Sequence, residues 1–232
     1  MKLDIIIPTL NEESNIKLLL RQLLPLPSDE LVNITIVDGS NSSDNTETVC
    51  NEYGVRYLKC SSTRRSTQMN LGARDSKADV FLFLHADVIP PEDYYSLIKS
   101  AYNHNYKSGC FAYQFDSDRV MLRFNSYFSQ YKGFFTGGGD QCLFICRKCF
   151  EALGGFCDSH VLMEDFELYK KVKSHNINYK IIKSRASVSA RKYDNNSWLK
   201  VNMVNLISLI RYKLDHDTES IRSSYRRWLS PK

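Results

Sequence analysis

Short apolar segments alternate with segments of helical periodicity over the first 90 residues, and this pattern constrains the fold more than any other feature. Four apolar or β-branched segments have the length of buried strands: residues 3–9, 32–37, 55–60 and 80–84. The segments between them have apolar side chains at helical spacing: residues 12–24, 46–53 and 66–76. Strands that alternate with helices predict a mainly parallel, twisted sheet flanked by helices.

The second half of the chain follows this alternation less strictly. Residues 109–115 and 141–146 are predicted strands, and residues 163–175 and 197–214 are predicted helices. Segment 116–139 is too long for a turn, so we expect it to be an insertion that faces a substrate. No repeat or second domain boundary is visible. The prediction is a single α/β domain with a C-terminal helical extension.

The composition is that of a packed protein, since 43% of the 232 residues are hydrophobic and 25% are charged. General disorder is therefore excluded. No apolar run approaches the roughly 18 to 20 residues of a membrane-spanning helix. The first residues lack the cleavage site of a secretory leader, so we expect a cytoplasmic protein.

The seven cysteines are an odd number, and most lie in apolar segments. We expect reduced thiols that pack as small hydrophobic side chains. Cys142, Cys146 and Cys149 are close in sequence, but no second Cys-x-x-Cys or Cys-x-x-His pair accompanies them. Their spacing therefore disfavours a zinc site.

Positive charge is concentrated in the last fifth of the chain. Residues 185–232 contain ten Lys or Arg and four Asp or Glu, whereas the preceding residues contain 21 and 22. One apolar stripe runs along the predicted helix in this region: Leu199, Met203, Leu206, Ile207, Ile210 and Leu214. Such a stripe ordinarily packs on the sheet of its own domain. The alternative is peripheral contact with the inner face of an anionic membrane, where a lipid-linked acceptor could be reached.

Acidic and polar side chains directly follow three of the predicted strands. Thr9 and Glu12 follow the first strand, Asp38 the second, and His85 and Asp87 the fourth. In a parallel sheet these strand ends meet at one edge, where ligands bind. Neighbouring carboxylates need a cation or hydrogen-bond donors to stay ionised, and a divalent metal is the simplest answer. Asp87 is therefore a candidate ligand of Mg²⁺ or Mn²⁺, with substrate phosphates completing the coordination.

Two acids, Glu164 and Asp165, stand at the start of the predicted helix 163–175. Free backbone N–H groups stabilise a carboxylate there, and a carboxylate so placed can act as a general base. Acids also favour helix N-termini for structural reasons alone. The motifs of phosphate-loop NTPases, zinc proteases, serine hydrolases and dinucleotide-binding folds are absent, so these classes lose their main support.

Six segments resemble, in order and spacing, the family 2 glycosyltransferases of the GT-A fold. They are IIIPTLNEE (5–13), IVDGSNSSDNT (36–46), STQMNLGA (66–73), LFLHADV (82–88), GGGDQCLFICRKCFEALGGF (137–156) and MEDFEL (163–168). Arg64 with QMNLGA, the LHADV form and the GDQ segment are similar to the bacterial arsenosugar-biosynthesis-type subgroup.

The resemblance implies a nucleotide-sugar donor, a divalent cation (Mg²⁺ or Mn²⁺) and direct displacement at the anomeric carbon with inversion. It implies that Pro8, Thr9 and Glu12 border the nucleoside and that Asp38 contacts the base or the ribose. It divides the chain into a nucleotide-binding half of about residues 1–90, an acceptor and catalytic half of about 91–195, and a basic helical tail of about 196–232.

The remaining roles also come from the resemblance. Gln68 and Asn70 match the segment that packs beside the nucleotide, and Asp87 matches the last acid of the metal motif. Asp165, paired in sequence with Glu164, matches the acid that takes the proton from the acceptor hydroxyl.

Several further residues are candidates for substrate binding. Arg64 and Arg191 could pair with phosphates through their planar guanidinium groups, although a surface charge is the ordinary role of Arg191. Gly138 and Asp140 lie in the glycine-rich loop. His85 stands where the metal motif usually begins with an acid, so it either ligates the metal, bonds the nucleotide or packs.

Two other functions compete with sugar transfer: a sugar-nucleotide nucleotidyltransferase, and a non-catalytic nucleotide-sugar-binding protein. The first usually has a glycine-rich, lysine-bearing phosphate loop near its N-terminus, which this sequence lacks. The second would not explain why Asp87 and Asp165 are both present at positions that match the metal motif and the catalytic acid. We expect no nucleic-acid partner, and the acceptor and the oligomeric state stay open.

Overall fold

The computed structural model describes residues 1–26, 31–133 and 136–229, and within them eight strands form one sheet. The strands are β1 (Leu3–Thr9), β2 (Val32–Asp38), β3 (Arg56–Lys59), β4 (Val80–Phe83), β5 (Val88–Ile89), β6 (Ser108–Phe115), β7 (Leu143–Cys146) and β8 (Tyr179–Val188). Their spatial order is β3-β2-β1-β4-β7-β6-β8-β5. β5 and β7 run antiparallel to their neighbours, and the other pairs are parallel. The predicted single α/β domain with a mostly parallel sheet is confirmed.

The described residues also form nine α-helices. They are α1 (Glu13–Leu23), α2 (Thr46–Glu52), α3 (Arg65–Asp75), α4 (Tyr94–Asn103), α5 (Val120–Phe128), α6 (Arg147–Ala152), α7 (Glu164–Ser174), α8 (Trp198–Lys213) and α9 (Thr218–Trp228). Two short 3-10 turns, Gly139–Gln141 and Arg191–Tyr193, interrupt the loops. Both turns carry candidate site residues.

The sheet separates two apolar layers, because successive side chains of a strand face opposite sides. On β1, Ile5 and Ile7 face the layer that contains α1 and α4, whereas Ile6 faces the layer that contains α3 and α7. α3 packs tightly on the sheet at Gly72, where a Cβ atom would lie 2.6 Å from Ile6 Cγ2. The absence of a side chain at this position lets α3 hold its residues against the ends of β1 and β2.

One edge of the sheet brings the two halves of the chain together. Thr9 lies opposite Asp38 where β1 and β2 end, and Phe83 at the end of β4 lies opposite Leu143 at the start of β7. The Gly139–Gln141 turn immediately precedes β7, so it reaches the edge at which β4 ends. The strand ends of the first half and the glycine-rich loop of the second half therefore meet.

The structure departs from the sequence prediction in the second half. α5 occupies part of segment 116–139, and Lys and Arg side chains interrupt the apolar pattern of β8, so the sequence pattern does not indicate that strand. A strand beginning at residue 141 is wrong for its first two residues. Cys142 has a left-handed backbone (φ 47°), and Gln141 closes the loop by accepting a 2.8 Å hydrogen bond from Gly137 N.

The apolar stripe predicted on the C-terminal helix is largely exposed. α8 buries Val201 and Val204 in the same apolar layer as Tyr193, whereas Leu199 and Leu214 are 64% and 68% exposed. The expectation that the stripe packs on the domain's own sheet is therefore wrong, because the helix packs through a different face. In the part of the chain that the structure describes, no helix combines the length and apolar character needed to cross a membrane.

Candidate active site

A buried hydrogen-bond network ties the ends of β1 and β2 together. The Thr9 hydroxyl donates to Asp38 Oδ1 at 2.9 Å, and the Gln68 side-chain amide donates to the carbonyl oxygens of Thr9 and Val37, both at 2.7 Å. Pro8 is buried beside Thr9 in β1. Since Gln68 is itself buried, it supports this edge of the sheet through backbone contacts.

Asp38 is covered by protein groups. Its Oδ2 atom accepts hydrogen bonds from Lys59 Nζ at 2.9 Å and from the Tyr57 hydroxyl at 3.0 Å, and only 3% of its side chain is exposed. Burial and the bond to Asp38 raise the pKa of Tyr57. A nucleotide can reach this carboxylate only by displacing one of its donors, whereas Lys59 is accessible beside it.

Arg64 and Asn70 both bind the loop that precedes α7. The Asn70 amide donates to the carbonyl of Phe156 at 2.9 Å and accepts from the N–H of the same residue at 3.0 Å. Arg64 Nη1 donates to the carbonyl of Asp158 at 3.1 Å. In this structure the two predicted contact residues therefore brace a loop, and Asn70 joins α3 to the segment that leads into α7.

Asp87, Arg191 and Glu12 come together from three distant parts of the chain. Arg191 Nη2 lies 3.0 Å from Asp87 Oδ2 and 4.0 Å from Glu12 Oε2. Arg191 opens the second 3-10 turn, which follows β8. The guanidinium group thus lies between a carboxylate of the metal motif and a carboxylate of the β1 loop.

His85 and Asp165 face each other across the glycine-rich turn. The distance from His85 Nε2 to Asp165 Oδ2 is 3.9 Å, and Gly139 packs against both side chains. A Cβ atom at Gly139 would lie 2.2 Å from His85 Cε1 and 2.6 Å from Asp165 Oδ2. Gly138 and Asp140 flank this glycine, so the turn brings them to the same place.

Glu164 and Asp165 are adjacent in sequence but have different surroundings. Glu164 Oε1 lies 2.8 Å from Arg65 Nε, and Glu164 is almost fully buried. Arg65, the first residue of α3, is not among the predicted site residues, whereas Arg64 is. The two arginines are consecutive, so only their directions in the folded chain distinguish them. Lys192 is a second missed cation: burial lowers its pKa, but Asp140 and other negative groups more than offset this and raise it overall.

Burial and neighbouring charges shift the protonation of this pair. Burial and, to a smaller extent, the charge of Glu164 raise the pKa of Asp165 to about 8, although Arg65 opposes both effects. Burial lowers the pKa of His85, and Arg65 lowers it too, against the effect of nearby carboxylates. At neutral pH the imidazole is therefore uncharged, and Asp165 carries a proton in most molecules.

Several buried polar atoms at this centre have no hydrogen-bond partner among the described residues. They are His85 Nε2, Glu164 Oε2 and Arg191 Nε. Buried polar groups are nearly always hydrogen-bonded, so unpaired ones mark positions where a ligand or water is expected. Their concentration in one place supports a binding function for this centre.

The side chains fit a divalent cation that takes most of its ligands from a substrate. The described residues contain no group of three or more His, Cys, Asp or Glu side chains that could hold a metal. His85 Nε2 is an unpaired donor atom, and Asp87 offers a carboxylate at the same edge. One imidazole with one carboxylate suits Mn²⁺ better than Mg²⁺, which prefers oxygen ligands alone.

Comparison with solved structures identifies the fold. A mannosyltransferase from Pyrobaculum calidifontis, PcManGT, in complex with GDP-Man and Mn²⁺, superposes with a TM-score of 0.69 at 17% identity, over 93% of this chain and 64% of that one. S. aureus TarS 1-349 in complex with UDP-GlcNAc gives a TM-score of 0.64 at 14% identity, over 98% and 71%.

A third structure shares the same architecture. Glucosyl-3-phosphoglycerate synthase from Mycobacterium tuberculosis, in complex with Mn²⁺, UDP and phosphoglyceric acid, gives a TM-score of 0.62 at 13% identity, over 91% of this chain and 78% of that one. The chain therefore has the GT-A fold. It spans less than two thirds of the length of PcManGT.

Comparison of the sequence gives a narrower result. No protein with a curated description matches it. The model of glycosyl transferase family 2 matches residues 4–150, which is more than half of the chain and includes the strand-end residues, Gly139 and Asp140. The chain therefore belongs to glycosyl transferase family 2.

Proposed function

We propose that this protein transfers a sugar from a nucleotide-sugar donor to an acceptor hydroxyl, with inversion at the anomeric carbon. The observation that carries the proposal is the placement of Asp165 against His85, across Gly139, at the edge that also holds Asp87 and Arg191. Family membership supports the same activity. PcManGT and TarS, which share the fold, are known with GDP-Man and UDP-GlcNAc bound.

The donor would lie over the ends of β1 and β2. Residues of about 1–90 form its binding half, with Thr9 and Asp38 fixing the edge and Lys59 exposed next to them. The diphosphate would extend toward Arg191, whose guanidinium group matches phosphate oxygens in shape and charge. Arg191 would then exchange part of its contact with Asp87 for contact with the donor.

Departure of the nucleoside diphosphate requires stabilisation of negative charge. A divalent cation held by Asp87 and the His85 imidazole would supply this stabilisation. Arg191 and Lys192 add fixed positive charge at the same edge. Because these cationic groups lie at this edge before the donor binds, the positive charge does not have to be assembled during the reaction.

The acceptor would be activated by Asp165, within the acceptor and catalytic half of about residues 91–195. As the acceptor oxygen forms its bond to the anomeric carbon, the bond from that carbon to the diphosphate oxygen breaks. The acceptor proton passes to Asp165 in its ionised form. A pKa of about 8 makes this carboxylate a stronger base than an exposed aspartate, and the Glu164–Arg65 pair holds the start of α7 in position.

The arsenosugar-biosynthesis-type subgroup is the narrower proposal, carried by Arg64, the LHADV form and the GDQ segment. It leaves the acceptor open, because a few pocket contacts decide specificity.

The test is a panel of nucleotide sugars, each assayed with and without Mn²⁺ for thermal stabilisation and then for sugar release to a mixture of small alcohols. We expect one donor to raise the unfolding temperature more with Mn²⁺ than without it. The product should have the anomeric configuration opposite to that of the donor, as measured by NMR.

Three outcomes would contradict the proposal. Stabilisation without turnover would indicate a binding protein. Release of pyrophosphate from a nucleoside triphosphate and a sugar phosphate would indicate a nucleotidyltransferase. A product that retains the donor configuration would refute the single displacement.

A further inference from the structure

Exposed apolar side chains are concentrated in two segments. Among the described residues 14 large hydrophobic side chains are exposed, and 11 of them belong to α5 with the residues just after it, or to α8 and α9. In the first segment they are Val120, Met121, Phe124, Tyr127, Phe128 and Tyr131; in the second they are Leu199, Met203, Ile210, Leu214 and Trp228. We call these two sets together the α5–α8 surface.

The two helices that carry most of this surface are neighbours. Asn125 on α5 donates to Asn202 Oδ1 on α8 at 3.0 Å and accepts from Trp198 Nε1 at 3.3 Å. Each helix packs through other residues, α5 through Leu122 and Ser126 and α8 through its buried valines. The exposed side chains therefore do not contribute to the packing of the domain.

The charges on these helices have one sign. Residues 119–133 contain Arg119, Arg123 and Lys132 and no acid, and α8 contains Lys200, Arg211 and Lys213 and no acid. Arg119 pairs with Asp194 at 3.1 Å. The nearby acids lie outside the two helices: Asp116 and Asp118 precede α5, and Asp215, Asp217 and Glu219 follow α8. Exposed apolar side chains that are accompanied by basic ones complement a surface that is apolar inside and negative outside.

We propose that the α5–α8 surface docks the protein on an anionic lipid bilayer. The aromatic side chains, including Tyr127, Tyr131 and Trp228, have the apolar bodies and polar tips that favour the region between headgroups and acyl chains. Basic residues of the two segments, among them Arg123, Lys132 and Lys200, provide the attraction to negative headgroups. Contact of this kind is peripheral and reversible, and it needs no spanning helix.

Hydrogen bonds join the docking surface to the candidate active site. Arg119 Nη1, at the start of α5, donates to the carbonyl of Tyr193 at 3.0 Å, and Tyr193 closes the turn that carries Arg191. A docked molecule would thus hold its catalytic edge close to the bilayer. The docking proposal itself does not rest on the proposed function, because it concerns lipid binding alone.

The test measures co-sedimentation of the full chain with vesicles. Vesicles of phosphatidylcholine with phosphatidylglycerol should bind the protein at least about tenfold more tightly than phosphatidylcholine alone, and added salt should weaken binding. Leu199→Asp should reduce the partition coefficient about tenfold, because it removes an apolar side chain that would enter the bilayer and adds a negative charge that the headgroups repel. Leu18→Asp is the matched control, since Leu18 on α1 is 58% exposed and lies outside the surface; it should bind as the parent protein does.

Each other outcome would overturn the proposal. Equal binding to neutral and anionic vesicles, or equal loss in Leu199→Asp and Leu18→Asp, would remove the role of this surface. Sedimentation velocity without lipid tests a second copy of the chain as the occupant. A dimer that Leu199→Asp dissociates, with no binding of the parent protein to vesicles, would identify a protein interface. Thermal unfolding of both variants verifies that each is folded.

Discussion

The two halves of the candidate site differ in how completely their polar atoms are paired. At the ends of β1 and β2, Thr9, Asp38 and Gln68 form a closed network in which every contact is with the protein. Around α7 and the glycine-rich turn, His85, Glu164 and Arg191 each keep a buried atom without a hydrogen-bond partner among the described residues. The polar atoms of the first half are paired within the protein, whereas the second half keeps unpaired buried atoms at which we expect a ligand to bind. The comparison predicts that changes in the second half affect turnover and that changes in the first affect stability.

The largest effect should come from Asp165→Asn, which removes the proposed base and keeps its shape. We expect the turnover number to fall by about 10²- to 10⁴-fold, because an amide cannot take the acceptor proton. Donor affinity, measured by calorimetry, should change little. Asp194→Asn is the control, since that side chain is 60% exposed and paired with Arg119. Unchanged turnover in Asp165→Asn would refute the assignment.

Gly139→Ala should have the next largest effect. The added Cβ atom would lie within 2.6 Å of both His85 and Asp165, so one or both must shift. A displacement of about 1 Å at a reacting group costs about 100-fold in rate. Gly133→Ala is the control, because a Cβ atom there has no neighbour within 4 Å. Steady-state kinetics and unfolding temperatures of the two variants would separate an effect on the site from a loss of folding. Equal turnover rates in the two variants would contradict the prediction.

The pH dependence of transfer should follow the raised pKa of Asp165. Below about pH 8 the carboxyl group is mostly protonated and cannot act as a base, so the rate should rise about tenfold per pH unit as the pH approaches that value. Arg65 opposes the rise in this pKa, so Arg65→Gln should move the rate profile to higher pH. Single-turnover rates measured between about pH 5.5 and 9, roughly the range in which such a group titrates, would give the pH profiles of the parent protein and of Arg65→Gln. A profile that Arg65→Gln leaves in place would argue against this electrostatic link.

Thr9→Val should have the smallest effect on turnover and a clear effect on stability. It removes the donor to Asp38 Oδ1 and leaves a buried carboxylate oxygen unpaired, which costs about 1–3 kcal/mol in the free energy of unfolding. Denaturant titration measures this change. Thr48→Val, on the exposed side of α2, is the control and should cost much less. If Thr9→Val lost more turnover than Gly139→Ala, the expected division between a stabilising first half and a catalytic second half would be wrong.

The first half of the fold could be predicted because its signals are local. Apolar segments of strand length and the polar residues that follow them identify β1, β2 and β4, and parallel pairing then brings Thr9 and Asp38 together. The second half depends on contacts between distant segments. β8 has charged residues within an apolar pattern, and it is a strand because β6 and β5 pair with it.

The residue types of the candidate site could be predicted from the sequence better than the directions in which their side chains point. The sequence indicates that an arginine at the start of α3 contributes, but Arg64 turns to the loop at Asp158 while Arg65 meets Glu164. One position on a helix changes the direction of a side chain by about 100°, and only tertiary packing decides which arginine faces the site. The prediction that the α8 stripe packs on the sheet was wrong for the same reason. Periodicity identifies an apolar face of a helix, but it does not specify what covers that face.

The small exposure of Asp165 has a kinetic consequence. Only 8% of this side chain is accessible, and Gly139 lies directly over it. We therefore expect an alcohol to meet the carboxylate only when residues 139–141 move aside. The frequency of that opening would then set a ceiling on turnover that no excess of acceptor could raise.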